Sequence, residues 1–462
     1  MNSCLASDLQ KYNKKNLPCR SNLLMMILLR RKLSVLLFLL FLSVTSGAQF
    51  WKEDSWIGRC NQQLVDVIME DLFTPPVASR VQVYPNIAAY EVLCFKYKEM
   101  HTMAGQLNGL TRMWPPADKI DISLAAMIAF NTVARKLVYS EYLIDSFQKK
   151  EIDNWMRLNK NDQAVLNSSM NYGRTSGDHI ILWMKKDNYD HTRTLMRYVV
   201  VDSASAWQPT SPEYGNAIEP NWPLIRSFLF DSSSRIHVRP PTPFSEDKNS
   251  NFYKGAMEVY LSAKKKDTVQ HRIALFWDCN PNITKSAGHM TYFVHKISPA
   301  GHWIRLTGQA LNNTHASEMK RCQTYLLVSL SLFEGFHSCW IDKYNYNKIR
   351  PETYINRLID PTYRPFIETP PFPEYPSGHS VVSGCASTIL TGMVKQPYTF
   401  IDSSEMYINL PPRRFRSFKN AADEASISRF YGGIHFREAL DNGLEQGRKI
   451  GAYILQKIKL TN

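Results

Sequence analysis

From about Arg305 onward the chain is a succession of long helical segments, and this leaves few ways for it to fold. Ala316 to Tyr344 reads as one continuous helix, followed by Ser377 to Met393, Asn420 to Phe430 and His435 to Leu460. The earlier half is also mostly helical. Leu64, Val65, Val67, Ile68, Leu72 and Phe73 form a stripe of period 3.6, and Ile87, Tyr90, Glu91, Leu93, Cys94 and Tyr97 continue it after Pro85. Ile120 to Val138 and Asn249 to Lys264 are further helices. His191 to Ile218 and the proline-punctuated Pro220 to Pro243 read as loop. Ala274 to Ala300 is mixed and could cover a site. No internal repeat is present, and no strand–helix alternation that would signal a parallel sheet. The fold class expected is all-α, built of helical bundles.

With 462 residues and 44% apolar composition, the chain can bury a large core. Its first residues read as a targeting segment. Arg30-Arg31-Lys32 is a positive n-region, Leu33 to Leu42 an apolar h-region and Ser46-Gly47-Ala48 a small-residue cleavage site, with cleavage expected before Gln49. The rival reading is an uncleaved anchor, but the h-region is short for a span. Met25 or Met26 could be the true start. No later stretch reaches the length of uncharged apolar chain that crosses a bilayer, so the mature protein is expected to lack a transmembrane span and to be exported, periplasmic or secreted. The formal charge is +14, and residues 1–48 carry seven Lys/Arg and one Asp, leaving a modest basic excess. Such an excess suits an anionic ligand, and no nucleic-acid motif accompanies it. Six cysteines follow residue 48, and none forms a CxxC pair of the kind that marks common zinc sites. Cys339 and Cys385 lie in apolar helical contexts and read as buried thiols.

Three pieces of the C-terminal part carry chemistry. In the first, Lys343 and Arg350 are seven residues apart and could share a helix face, with Pro351 ending that helix. In the second, the prolines of Pro370 to Pro376 hold the chain extended before Ser377-Gly378-His379 opens a helix. A helix N-terminus with a hydroxyl, a glycine amide and an imidazole is an oxyanion site in waiting. In the third, Ser428-Arg429 precedes Gly432-Gly433, which should break the helix and leave His435 near the start of the last one. Taken singly, each piece has a plainer reading: two solvated charges, a helix cap, a structural histidine.

Taken together, KxxxxxxRP, PSGH and SRxxxxxH in this order resemble the tripartite signature of the type 2 phosphatidic acid phosphatase and vanadium-dependent haloperoxidase superfamily, over about residues 320–460. The resemblance implies that Lys343, Arg350 and Arg429 bind the equatorial oxygens of a phosphate or vanadate, with Ser377 and the Gly378 N–H adding hydrogen bonds. It implies that His435 bonds vanadium in a peroxidase or attacks phosphorus in a phosphatase, and that His379 is the acid/base on the opposite side.

Four features bear on the branch. The chain lacks the transmembrane helices of the membrane phosphatases. Phosphatases extend the last motif to HxxxD, where the Asp orients the nucleophilic His, and that position here is Ala439; Glu424, Glu438 and Asp441 are the substitutes at hand. Phe372, seven residues before His379, resembles the chloroperoxidase form of that segment, the plainer reading being a hydrophobic staple. The long helical N-terminal region resembles the two-bundle haloperoxidase architecture. The expectation is a secreted enzyme with a signal peptide and leader over 1–48, an N-terminal helical region over 49–304 and a catalytic helical domain over 305–462. It would hold vanadate as cofactor and oxidise halide with hydrogen peroxide. The alternative is an exported acid phosphatase hydrolysing phosphomonoesters through His435, with no cofactor and with phosphate held as substrate. His289 and His302 flank a loop-like stretch and have two readings, lining the mouth or being simply exposed.

Overall fold

The computed structural model describes residues 53–281, 284–287, 289–293, 295–394 and 396–461. The targeting segment over 1–48 lies outside the described residues, which belong to a single compact unit. No described helix is long and apolar enough to cross a membrane.

The first bundle starts with α1 (Trp56–Glu70), capped by the Ser55 hydroxyl accepting from the Gly58 N–H, and α2 (Pro75–Leu93). Helix α2 is buried along its whole length, which its small and apolar sequence permits. Among its buried polar residues, Asn86 exchanges amide hydrogen bonds with Asn61, and Arg80 meets Asp187 at 2.8 Å. Helices α3 (Ile122–Leu137), α4 (Glu141–Leu158) and α5 (Gln163–Met184) follow. Gly173 lets α5 lie against α3, since a Cβ there would come within 2.5 Å of the Ala125 carbonyl. A short α6 (Tyr189–Thr192) and an irregular stretch lead to α7 (Asn251–Lys264), α8 (Thr268–Phe276) and α9 (Pro299–Asn313). Residues 304 and 305 lie within α9, so that helix runs without interruption through the boundary expected between the two regions.

The second bundle is built on α10 (Glu318–Tyr346), α11 (Pro351–Leu358), α12 (Gly378–Met393), α13 (Phe418–Tyr431) and α14 (Arg437–Lys457). From Arg321 to Lys343 every residue of α10 is buried, because it packs against α2 on one side and α12 on another. One hydrophobic core therefore extends from Ile57 to Ile458. Helices α12 and α14 are in backbone contact. A Cβ at Gly447 would sit 1.9 Å from the Val381 carbonyl oxygen, and one at Gly451 2.9 Å from that of Cys385. This closeness draws the start of α14 onto the start of α12.

Two antiparallel hairpins interrupt the helices: β1 (Thr284–Ala287) with β2 (Met290–Phe293), and β3 (Phe400–Asp402) with β4 (Arg413–Phe415), the latter registered Phe400 to Phe415. The six cysteines of the described residues are all free, and Cys339 and Cys385 are buried as expected.

One local expectation fails. Lys343 and Arg350 do not share a helix face. Helix α10 ends at Tyr346 because Asn347 turns left-handed, with φ of 45°. The chain then pairs with the loop at Ala206, and Arg350 is the residue before α11. Pro351 starts that helix instead of ending the previous one, as its fixed φ and missing N–H allow.

Candidate active site

All three motifs converge on one cavity. Phe372, Gly378, His379, Arg429 and His435 line it, with the apolar Phe336 and Trp340 beside them. Arg350 stands directly behind, its Nη1 3.2 Å from His435 Nε2. Ser377 caps α12, its Oγ accepting from the Ser380 N–H. Gly433, at φ of 80°, ends the α13 turn, and the Phe366 and Ile367 amides close onto the Gly432 carbonyl. This sharp exit is what carries His435 back over the cavity, two residues before α14 begins.

The cations are held by main-chain oxygens. Arg350 donates from Nε to the Phe372 carbonyl at 2.9 Å and from Nη1 to that of Ile434 at 3.0 Å. Lys343 Nζ donates to the carbonyls of Pro373, Glu374 and Pro376 at 2.8, 3.1 and 2.5 Å. Lys343 therefore pins the proline-rich segment as well as charging the site. Burial pushes its pKa down to about 7 and that of Arg350 to about 10. Phe372 lies between the two, 4.9 Å from Lys343 Nζ and 5.0 Å from the Arg350 guanidinium, and packs on Trp340. Arg429 donates to the Trp277 carbonyl at 2.9 Å and faces the Asp278 carboxylate at 3.7 Å.

His435 is the best-defined group. Its Nδ1 lies 2.8 Å from Glu374 Oε1, which also accepts from the Phe436 N–H at 3.0 Å. Nδ1 thus carries the proton, and the unprotonated Nε2 accepts from Arg350 Nη1 at 3.2 Å. Burial, and then the charges of Arg350, Lys343 and Arg429, hold the His435 pKa well below the usual imidazole range. The ring is neutral and able to bond an electrophilic centre. The His379 pKa is also lowered, by burial first and then by Arg429.

Two buried side-chain nitrogens at the cavity lack partners. Arg429 Nε and His379 Nε2 have none among the described residues. A neutral imidazole with an unprotonated Nε2, beside Lys343, Arg350 and Arg429 and an unused Arg429 N–H, fits a tetrahedral oxyanion such as vanadate or phosphate.

The chain's similarities agree with that chemistry. Residues 323–461 match the model of the second helical-bundle domain of vanadium chloroperoxidases. A bacterial vanadium-dependent iodoperoxidase structure is 39% identical, with a TM-score of 0.83, over 89% of this chain and 99% of its own. The chain belongs to the vanadium-dependent haloperoxidase family. Two further members, the holo and apo forms of a bacterial vanadium-dependent chloroperoxidase, share the fold at 14% and 16% identity. The holo form has a TM-score of 0.65 over 88% of this chain and 98% of its own, and the apo form 0.61 over 83% and 94%. No curated protein matches the chain.

The haloperoxidase fold reveals a residue that the motifs did not. The orienting carboxylate of His435 is Glu374, inside the proline-rich segment and not downstream of the histidine. Of the substitutes considered, Glu424 pairs with Arg413 at 2.6 Å, Glu438 with Lys348, and Asp441 is exposed near Arg437. None reaches His435. The lack of an acid at Ala439 therefore does not separate the two branches, since His435 is oriented anyway. His302 is likewise not at the mouth or exposed: it is fully buried in α9, while His289 is exposed at the β1–β2 turn.

Proposed function

We propose that this protein is a vanadium-dependent haloperoxidase that oxidises halide with hydrogen peroxide, with iodide as the first substrate to try. The observation that carries the proposal is the neutral His435, its Nδ1–H held by Glu374 and its unprotonated Nε2 facing the Arg350 guanidinium, with Arg429 nearby on the cavity wall. His435 would hold the vanadium. Arg350, Arg429 and Lys343 would neutralise its oxygens, with Ser377 Oγ and the Gly378 N–H donating hydrogen bonds. Bound vanadate supplies a Lewis acid that polarises peroxide without a change in oxidation state. His379, through its partnerless Nε2, would take and return the proton of the incoming peroxide. Phe372 and Trp340 line the cavity and would face a halide entering it. The likeness over nearly the full chain to an iodoperoxidase favours this reading over phosphomonoester hydrolysis, which the same cations would also serve.

Full-length protein, with and without orthovanadate, should halogenate a diketone acceptor with peroxide and halide only when vanadate is present, and His435→Ala should abolish this. Hydrolysis of p-nitrophenyl phosphate inhibited by vanadate, without halogenation, would overturn the proposal. We also infer export, on the strength of the n-region, h-region and small-residue site over 30–48. N-terminal sequencing of exported protein should begin at Gln49; retention of the leader would overturn it.

A further inference from the structure

Beside the cavity lies a buried cluster that the reaction does not use. Cys279 Sγ is 3.4 Å from His302 Nδ1, and Glu405 Oε1 is 3.2 Å from the same nitrogen. The three donor atoms lie within 4.8 Å of one another. His302 Nε2 lies 2.7 Å from Asp402 Oδ2. Exposure of Cys279, His302, Asp402 and Glu405 is 2%, 0%, 0% and 3%. The residues come from separate elements: Cys279 follows α8, His302 is in the first turn of α9, Asp402 ends β3 and Glu405 lies in the turn after it.

We propose that Cys279, His302 and Glu405 bind a divalent transition-metal cation of the zinc type, with Asp402 fixing the imidazole from behind. Three observations support the site. First, the spacing fits. Metal–ligand bonds of about 2.3 Å to sulfur, 2.0–2.1 Å to nitrogen and 2.0–2.2 Å to oxygen at tetrahedral angles require N···S of about 3.6 Å and N···O of about 3.3–3.4 Å. The observed 3.4 and 3.2 Å are within about 0.2 Å of both. Second, Glu405 Oε1 is a buried carboxylate oxygen with no hydrogen bond, aimed at a ring nitrogen that also faces the thiol. One nitrogen cannot satisfy both neighbours, whereas a cation at their centre satisfies all three. Third, the carboxylate–histidine pair behind the ligand is the usual arrangement of metal-bound imidazole. On binding, the protons of Cys279 Sγ and His302 Nδ1 leave to solvent as the cation enters, so a 2+ charge replaces two protons and the net charge of the buried cluster is unchanged.

Such a cation would brace the vanadate cavity. Trp277 stacks on His302 with ring centroids 4.4 Å apart, and its carbonyl holds Arg429. Cys279 itself lines the cavity.

The test uses full-length protein freed of metal with a chelator and then loaded with orthovanadate, so that His435 is engaged. Titration with Co(II) should bind one equivalent and develop a near-ultraviolet thiolate-to-cobalt band, which Zn(II) displaces. Cys279→Ser should abolish the band. Asp402→Asn should retain it while weakening binding by about 10–100-fold. Failure of the folded wild type to take up Co(II) or Zn(II), or a band that survives in C279S, overturns the proposal. The wild-type titration decides even if a variant does not fold, and neither readout depends on halogenation.

Discussion

Replacing Glu374 by Gln probes most directly how His435 is held. Oε1 of Glu374 accepts from His435 Nδ1 at 2.8 Å and from the Phe436 N–H at 3.0 Å. The Phe436 amide can only donate, so the amide oxygen of the variant must take the place of Oε1. His435 then keeps an acceptor for Nδ1–H, and its tautomer survives. What is lost is charge. Hydrogen bonds to charged groups contribute about 1.5–3 kcal/mol and neutral ones about 1, so about 0.5–2 kcal/mol of support for a ring that donates electron density disappears. That is about 2–30-fold in affinity. A second effect opposes it. Loss of a buried negative charge leaves the Lys343, Arg350 and Arg429 cluster more positive. A unit charge one imidazole ring away, at an effective dielectric of about 20, interacts by about 2 kcal/mol. The two effects are of similar size, so vanadate affinity alone has no decided sign.

The ratio of vanadate to phosphate affinity removes the ambiguity. At about pH 6.5, above the pKa of about 6 to which burial raises Glu374, its carboxylate is charged, both anions carry chiefly one negative charge and feel the same Coulomb change, but only vanadate bonds to His435. Titration calorimetry of wild type and E374Q with each anion should give a vanadate-to-phosphate ratio lower by about 2–30-fold in the variant. A ratio within twofold of wild type, in protein with an undisturbed melting temperature, would refute the role given to Glu374.

Other consequences follow from single contacts. Gly447→Ala places a methyl on the Val381 carbonyl and should cost about 2 kcal/mol or more in denaturant unfolding, outweighing the helix propensity gained, whereas Gly255→Ala, whose nearest neighbour is 4.0 Å away, should gain up to about 1 kcal/mol. Burial lowers the His337 pKa to about 4, so the unfolded chain takes up the proton first: stability should be full above pH 6.5 and fall by about 3 kcal/mol toward pH 4, a loss that His337→Gln removes in pH-dependent melting curves. Lys343, at about 7, is largely neutral above that pH until an anion enters; binding of sulfate, whose own charge is constant there, should take up a proton and weaken by up to tenfold per pH unit above 7, detected by calorimetry in buffers of different ionisation enthalpy.

The helices and the motif residues were legible in the sequence because both rest on short-range chemistry. The periodicity of Ala316 to Tyr344 foretold α10 to within two residues at each end, and the Pro-Ser-Gly pattern foretold the start of α12. Gly432-Gly433 foretold the break that returns His435 to the cavity. The failures share a cause. Lys343 and Arg350 suggested one face, but a left-handed Asn347, which any tolerant residue could have been, ended the helix between them. Nothing local distinguishes that Asn from its neighbour Asn345.

Glu374 and His302 failed in a more instructive way. Both are buried ionisable groups whose partners lie far along the chain, 61 residues away for Glu374 and His435 and 100 for His302 and Asp402. Charge spacing within one helix cannot find them. What could have pointed to Glu374 is its setting: a carboxylate between prolines, in a segment drawn toward Lys343 and Arg350, has no solvent to turn to and must accept from something. The three cations, Lys343, Arg350 and Arg429, leave the cavity strongly positive, and a neutral His435 beside them needs a reason to keep its proton on Nδ1. Glu374 is that reason. The same requirement, that buried charge be answered by a named partner, turns His302 from a loop histidine into the centre of a second site. Its two carboxylates and a thiol exceed what one imidazole can satisfy, and a cation is the partner they lack.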